Sequence, residues 1–191
     1  MINFTGNFIN NSTVLKRTSS ENYSKEKVAF VELDIRSDED QEFIHTINDT
    51  WRTPRDFVKA MCDNFDYYHN NPDAPRPPQI FVLTEQQDFF EKLDPQKALG
   101  LTQVGMGLAK NVEIELLQTN PKYLNIDGKS DIRYIGTTIL DSLKEFFGGC
   151  ILTLYAIEDA IPFYKKNHFK ERNHHDKGRN LVYDTKSFDL Y

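Results

Sequence analysis

A short run in the last third of the chain constrains its fold more than any other. Arg133-Tyr134-Ile135-Gly136-Thr137-Thr138-Ile139-Leu140 reads as a tight turn opening directly into a helix. The free backbone N–H groups of such a helix start, backed by the helix dipole, form an anion site. Gly148-Gly149 ends the helix, residues 150–156 follow as a buried strand, and Pro162-Phe163-Tyr164 lies in the helix after it. A helix placed between strands in this way has to pack on a sheet.

The upstream pattern supplies the rest of that sheet. Residues 12–18 and 27–35 read as strands around the polar segment 19–25. Ser37, with Asp40 three residues on, resembles a capping box, and Phe43, Ile44, Ile47 and Trp51 then mark one helical face. Thr53-Pro54-Arg55-Asp56 repeats the start signal, with Phe57, Met61, Phe65 and Tyr68 spaced by three and four. Residues 70–78 form a loop, and Gln79–Thr84 a short apolar strand. Residues 86–97, with Phe89 and Phe90, form an irregular or partly helical excursion. Ala98–Met106 and Asn111–Thr119 pair as antiparallel strands around the turn 107–110. A polar loop with Asp127-Gly128 leads to the Gly136 turn and a helix over 137–147, its stripe made by Ile139, Leu140, Leu143, Phe146 and Phe147. The strand 150–156, a helix over 159–167 and a strand pair at 169–172 and 180–185 complete the order. The expected class is α/β, in the α+β sense: a mixed sheet with helices on both faces. A single domain is expected over residues 1–191, with an extra N-terminal strand segment over roughly residues 1–26.

At 191 residues the chain can bury a substantial core. The formal net charge of -6, with no basic arm, argues against a nucleic-acid partner. No apolar run reaches membrane-spanning length, and Met1-Ile2-Asn3-Phe4 lacks the pattern of a signal peptide. The expected setting is therefore cytoplasmic, with no membrane partner. Cys62 and Cys150 read as buried free thiols. A nucleophilic Cys150 beside His168 is the alternative to a core cysteine. His174-His175-Asp176 places neighbours on opposite sides of a strand, so no metal site is expected.

Two motifs carry a family resemblance. Ile135-Gly136-Thr137-Thr138-Ile139-Leu140 matches an Ile-Gly-Ser-x-Leu-Leu continuation of the pyrophosphate motif Gln/Arg-x-x-Gly-x-Gly/Ala. Asp131 stands at that motif's first position, Tyr134 at its middle glycine and Gly136 at its last. Ala160, Phe163, Tyr164 and Phe169 match the later pattern Asn-x-x-Ala-x-x-Phe-Tyr-x-x-x-Gly-Phe, with Ile157 and His168 replacing its asparagine and glycine. Over roughly residues 27–185 the chain resembles the GCN5-related N-acetyltransferase (GNAT) superfamily. That resemblance implies a mostly antiparallel sheet and acetyl-CoA as co-substrate. The acceptor would be a small-molecule amine or a peptide amine, and a homodimer is one assembly it admits.

The implied site is specific. The strand before the pyrophosphate turn splays from its neighbour, so the backbone of Leu116, Leu117 and Gln118 would hold the cofactor and polarise the thioester carbonyl. Arg133, Tyr134, Ile135, Gly136, Thr137 and Thr138 would seat the pyrophosphate, the two threonines doubling as helix caps. Strand alternation puts Val112, Ile114 and Leu116 on one face and Glu113, Glu115 and Leu117 on the other. Glu115, then Glu113, is the candidate to deprotonate the amine; solvated strand carboxylates are the alternative. Tyr164 is the candidate acid for the departing thiolate, against a ring that merely packs on the sheet. Trp51 and residues 65–68 either line an acceptor pocket or fill the core. The function expected is acetyl transfer to an amine by direct attack in a ternary complex. The alternative is a non-catalytic module that binds an acyl-CoA or a partner.

Overall fold

The structure is a computed structural model describing residues 6–19, 22–51, 55–88, 92–108, 110–124, 130–172 and 179–184. In chain order the strands are β1 (Asn7–Arg17), β2 (Tyr23–Glu32), β3 (Gln79–Thr84), β4 (Ala98–Met106), β5 (Asn111–Thr119), β6 (Ile132–Arg133), β7 (Ile151–Tyr155), β8 (Lys170–Glu171) and β9 (Asn180–Asp184). The helices are α1 (Asp38–Thr50), α2 (Phe57–Asn70), α3 (Ile135–Phe146) and α4 (Ile161–Lys166). All the strands join one sheet in the order β6-β1-β2-β3-β4-β5-β7-β9-β8. Among the described residues β5 and β7 pair in parallel and every other pairing is antiparallel.

Period-two alternation in the central strands divides the core into two layers. Ala29, Val31, Ile80, Val82 and Leu101 face α1 and α2, meeting Phe43, Ile44, Ile47, Met61 and Phe65. Val28, Phe30, Phe81, Leu83 and Leu99 face the other way, onto Ile139, Leu140 and Leu143 of α3. Phe30 and Phe81 stack with ring centroids 5.0 Å apart. Each such fully buried side chain contributes roughly 1.5–3 kcal/mol. Gly100 sets how closely α3 sits on the sheet. A Cβ there would lie 2.6 Å from Ile139 Cδ1 and 3.1 Å from Ile135 Cγ2.

β3, β4 and β5 coincide with their expected ranges. Elsewhere the ends shift. The third helix starts at Ile135, two residues earlier than its apolar stripe indicates, and residues 158–160 form a 3-10 turn ahead of α4. β6 is not visible in the sequence, because two residues carry no periodicity; its pairing with Leu15 and Lys16 of β1 defines it. Thr53-Pro54, Phe89-Phe90, Asp127-Gly128 and His174-His175-Asp176 lie outside the described residues.

Ser37 caps α1 by accepting from the Asp40 N–H at 3.2 Å. Asp40 does not complete the box. Its Oδ2 accepts from the Asp34 N–H at 2.7 Å instead, and the side chain is wholly buried. Burial pushes the Asp40 carboxyl up to about 6, against the lowering effect of backbone hydrogen bonds. A raised folded-state value makes its contribution greatest when protonated and lost as pH climbs through 6. Relative to wild type, Asp40→Asn should therefore gain on the order of 1–3 kcal/mol between pH 4 and pH 7, read from urea unfolding at each pH.

Candidate active site

The geometry of the site begins with one extra residue in β5. Gln103 pairs with Leu116 and Val104 with Ile114, which leaves Glu115 opposite nothing. This bulge resets the alternation. Val112 and Ile114 pack in the α3 layer, but Leu116 packs in the α1/α2 layer and Leu117 on the α3 side. The expected grouping of Leu116 with Ile114 is thereby corrected; uninterrupted period-two counting fails across a bulge. Thr102 Oγ1 donates to the Leu116 carbonyl at 2.9 Å and braces the bulge from β4.

Beyond the bulge β5 leaves β7. Their parallel pairing runs from Asn111/Ile151 to Ile114/Leu154 and stops there. The edge from Glu115 to Thr119 then opens onto a cleft of about 810 Å³. Its walls include Leu116, Leu117, Gln118, Leu154, Ala156, Ile157, Phe163 and Tyr164, and its floor the start of α3. The splay inferred from resemblance is a property of this sheet.

Tyr134 forms the N-cap of α3 with φ 67°, in the left-handed region, and gives no side-chain cap. This explains why the resembling motif places glycine there: without a Cβ the conformation is nearly free. Ile135, Gly136 and Thr137 follow, all lining the cleft, and a helix leaves its first-turn N–H groups without intrahelical partners. Gly136 has a packing reason as well, since a Cβ there would lie 3.0 Å from the Phe163 ring of α4. Arg133 also lines the cleft, its guanidinium stacked 4.2 Å from the centre of the Tyr23 ring.

Two expected positions fall elsewhere. Thr138 turns inward and donates its hydroxyl to the Thr13 carbonyl at 3.1 Å, so it ties α3 to β1 instead of facing the cleft. Neither it nor Thr137 caps the helix, which starts ahead of both. Glu113 is exposed in the stretch where β5 is paired on both edges, outside the cleft lining.

Glu115 lies at the junction. It lines the large cleft and also a polar pocket of about 220 Å³ on the α2 side, formed with Asn64, Tyr68, Arg76, Pro78, Gln103 and Gly105. Gln103 Nε2 donates to Glu115 Oε2 at 2.6 Å, and Asn64 Nδ2 donates to Gln103 Oε1 at 3.2 Å. A Cβ at Gly105 would collide with the Glu115 carboxylate. Sequence reasoning missed Gln103, although a buried glutamine inside the apolar run Ala98–Met106 was a signal. It also missed Arg76, which an irregular loop brings in. Of the aromatics named for an acceptor wall, Tyr68 lines the small pocket while Trp51 and Phe65 are core.

Tyr164 packs between Phe163 and Phe169, at centroid distances of 5.1 and 5.8 Å, with the cleft on its open side. Burial pushes its phenol up to about 12. Cys150 packs partly buried against the α3 layer.

A mixed sheet splits beside a bulge, with a helix N-terminus at the split. Solved structures agree: the chain has the fold of the GCN5-related N-acetyltransferases. A GNAT-family protein from Desulfovibrio desulfuricans superposes at TM-score 0.54 with 15% identity, over 83% of this chain and 99% of that one. The toxin AtaT, bound to the C-terminus of its antitoxin AtaR and to acetyl-CoA, gives TM-score 0.54 and 15% identity over 85% and 96%. The spermidine/spermine N-acetyltransferase SpeG from Vibrio cholerae gives 0.52 and 14% over 84% and 96%. No family model and no curated protein matches the sequence. Among the described residues no helix is long and apolar enough to cross a membrane.

Left-handed strain at a non-glycine residue costs on the order of 1 kcal/mol. Since the Tyr134 side chain is 53% exposed and gives up little packing, Tyr134→Gly should raise thermal stability by about that amount, offset in part by unfolded-chain entropy. A lower melting temperature in this variant would show that the ring contributes more than the backbone strain costs.

Proposed function

We propose that the protein transfers an acetyl group from acetyl-CoA to an amine by direct attack in a ternary complex. The observation that carries this reading is the position of Glu115, which lines both the cleft and the polar pocket. Acetyl-CoA would lie along Leu116, Leu117 and Gln118, its pyrophosphate at the first-turn N–H groups of Ile135, Gly136 and Thr137 beside Arg133. The acceptor would enter from the side of Asn64, Tyr68 and Arg76. Acetyl-CoA bound to AtaT and the polyamine acetylation named for SpeG support the reaction class.

The chemistry follows from the placement. Glu115 takes a proton from the ammonium form of the acceptor, freeing the nitrogen lone pair to attack the thioester carbonyl. Backbone donors on the open edge of β5 stabilise the oxyanion. The nitrogen releases its second proton to solvent as the tetrahedral intermediate collapses; the C–S bond breaks, and the CoA thiolate takes the proton of the Tyr164 hydroxyl, which solvent then restores. Gln103, held by Asn64, positions the Glu115 carboxylate. Arg76 forms no ion pair with any described residue and lines the small pocket together with Glu115. That combination favours an amine that also carries an anionic group, such as an amino acid, over a polyamine.

A second reading, a non-catalytic acyl-CoA-binding or interaction module, is favoured by the bulky Tyr134 at the helix start. The two readings part on one pair of assays. Acetyl-CoA should raise the melting temperature, and an amine panel should release free thiol, with amino acids turning over faster than spermidine. A thermal shift without thiol release selects the acyl-CoA-binding module; no shift with any CoA ester removes the transferase and leaves only an interaction module.

Tyr164→Phe should lower kcat on the order of 100-fold while leaving the Kd for acetyl-CoA nearly unchanged. With the phenol held near 12, Tyr164 stays protonated through the neutral range, and loss of the acid sets in only towards pH 12. An alkaline fall in kcat between pH 8 and 10 that disappears in Tyr164→Phe would contradict the assignment.

A further inference from the structure

A second polar cluster lies on the outer side of the molecule, between α1 and α2. Cys62 and Asp66, one turn apart on α2, both meet His45 of α1. Cys62 Sγ is 3.3 Å from His45 Nδ1, and His45 Nε2 is 2.9 Å from Asp66 Oδ1. Gln41, one turn before His45, donates its amide to the same Asp66 oxygen at 2.8 Å. The thiol is buried, whereas His45 and Asp66 reach solvent, so the cluster has an inner end and an open one.

We propose that His45, Cys62 and Asp66 form a binding site for a thiophilic divalent cation of the Zn²⁺ class. The three donor atoms lie within 4.8 Å of one another. A tetrahedral Zn²⁺ with one sulfur and one imidazole ligand separates those two atoms by about 3.5 Å, from bond lengths of about 2.3 and 2.0 Å. The observed 3.3 Å is close to that separation. Without the ion, Asp66 accepts from Nε2–H and so selects the tautomer whose Nδ1 lone pair points at the sulfur. With the ion bound, Asp66 would release Nε2–H to solvent and turn its half-exposed carboxylate to the metal, and water would complete the open fourth position.

The charges are right for such an ion. Thiolate and carboxylate together neutralise the cation, and the thiol proton leaves to solvent as the metal–sulfur bond forms. The Asp63 and Asp49 carboxylates lie near the sulfur as well, and their negative field attracts a cation. Lys59, the cation on the same helix, is paired with Asp63 at 2.6 Å. Because α2 also carries Asn64 and Tyr68 to the small pocket, a bound ion would fasten the pocket wall to α1.

Little in the sequence points to this cluster. The i, i+4 pair Cys62 and Asp66 is visible, but its third member lies on another helix. Titration of chelator-treated protein with ZnCl₂ against a chromophoric chelator should show one equivalent bound, weakened at least 100-fold in His45→Ala and in Cys62→Ala. Titration of the unmutated protein with Co²⁺ should give a thiolate-to-cobalt charge-transfer band in the near ultraviolet. That readout does not depend on any variant folding. Absence of the band, or Zn²⁺ affinity equal in wild type and both folded variants, would overturn the site and leave a hydrogen-bonded chain joining two helices.

Discussion

The bulge at Glu115 is the constraint from which the site follows. One unpaired residue rotates the remainder of β5, so that its side chains exchange layers and its edge turns away from β7. Had the ladder continued, the N–H and C=O groups of residues 115–119 would be spent on sheet pairing, and no cleft would exist between the two strands. The same extra residue puts a carboxylate where the large cleft and the small polar pocket meet. Gly105 leaves room for it, while Gln103 and Thr102 hold the backbone and the carboxylate from β4. The distortion and the chemistry proposed for it have a single origin.

The second requirement is a helix N-terminus at the open end of the split, and close packing places it there. Gly100 lets Ile135 and Ile139 approach the β4 backbone, Gly136 lets Phe163 approach α3, and Thr138 ties the first turn to Thr13. Two glycines thus act through the Cβ they lack instead of through unusual torsions. The left-handed turn falls on Tyr134, where a residue that dislikes it is held by the short β6 pairing and the α3 packing on either side.

The hydrophobic layers were largely legible in the residues. The faces Phe43/Ile44/Ile47 and Ile139/Leu140/Leu143, the strand Gln79–Thr84 and the pair at 98–106 and 111–119 follow from period and composition, because burial of apolar area leaves so few alternatives. The motif resemblance assigns Gly136 and Tyr164 to one site, and both line the cleft. It could not separate Thr137 from Thr138, since adjacent residues at a helix start share one motif but point a hundred degrees apart. It ranks Glu115 before Glu113 only by nearness to the expected splay, because both occupy the same parity until the bulge is known.

The sequence by itself thus determined the longer elements, their order and the two apolar layers, since those depend on local periodicity and on the cost of exposing hydrocarbon. Tertiary structure alone decided where β5 breaks register, which carboxylate reaches both cavities, that Arg76 lines the smaller one, and that His45 meets Cys62 and Asp66. Each of these depends on contacts between segments far apart in the chain. Long-range pairing and packing set such contacts, and no window of residues records them.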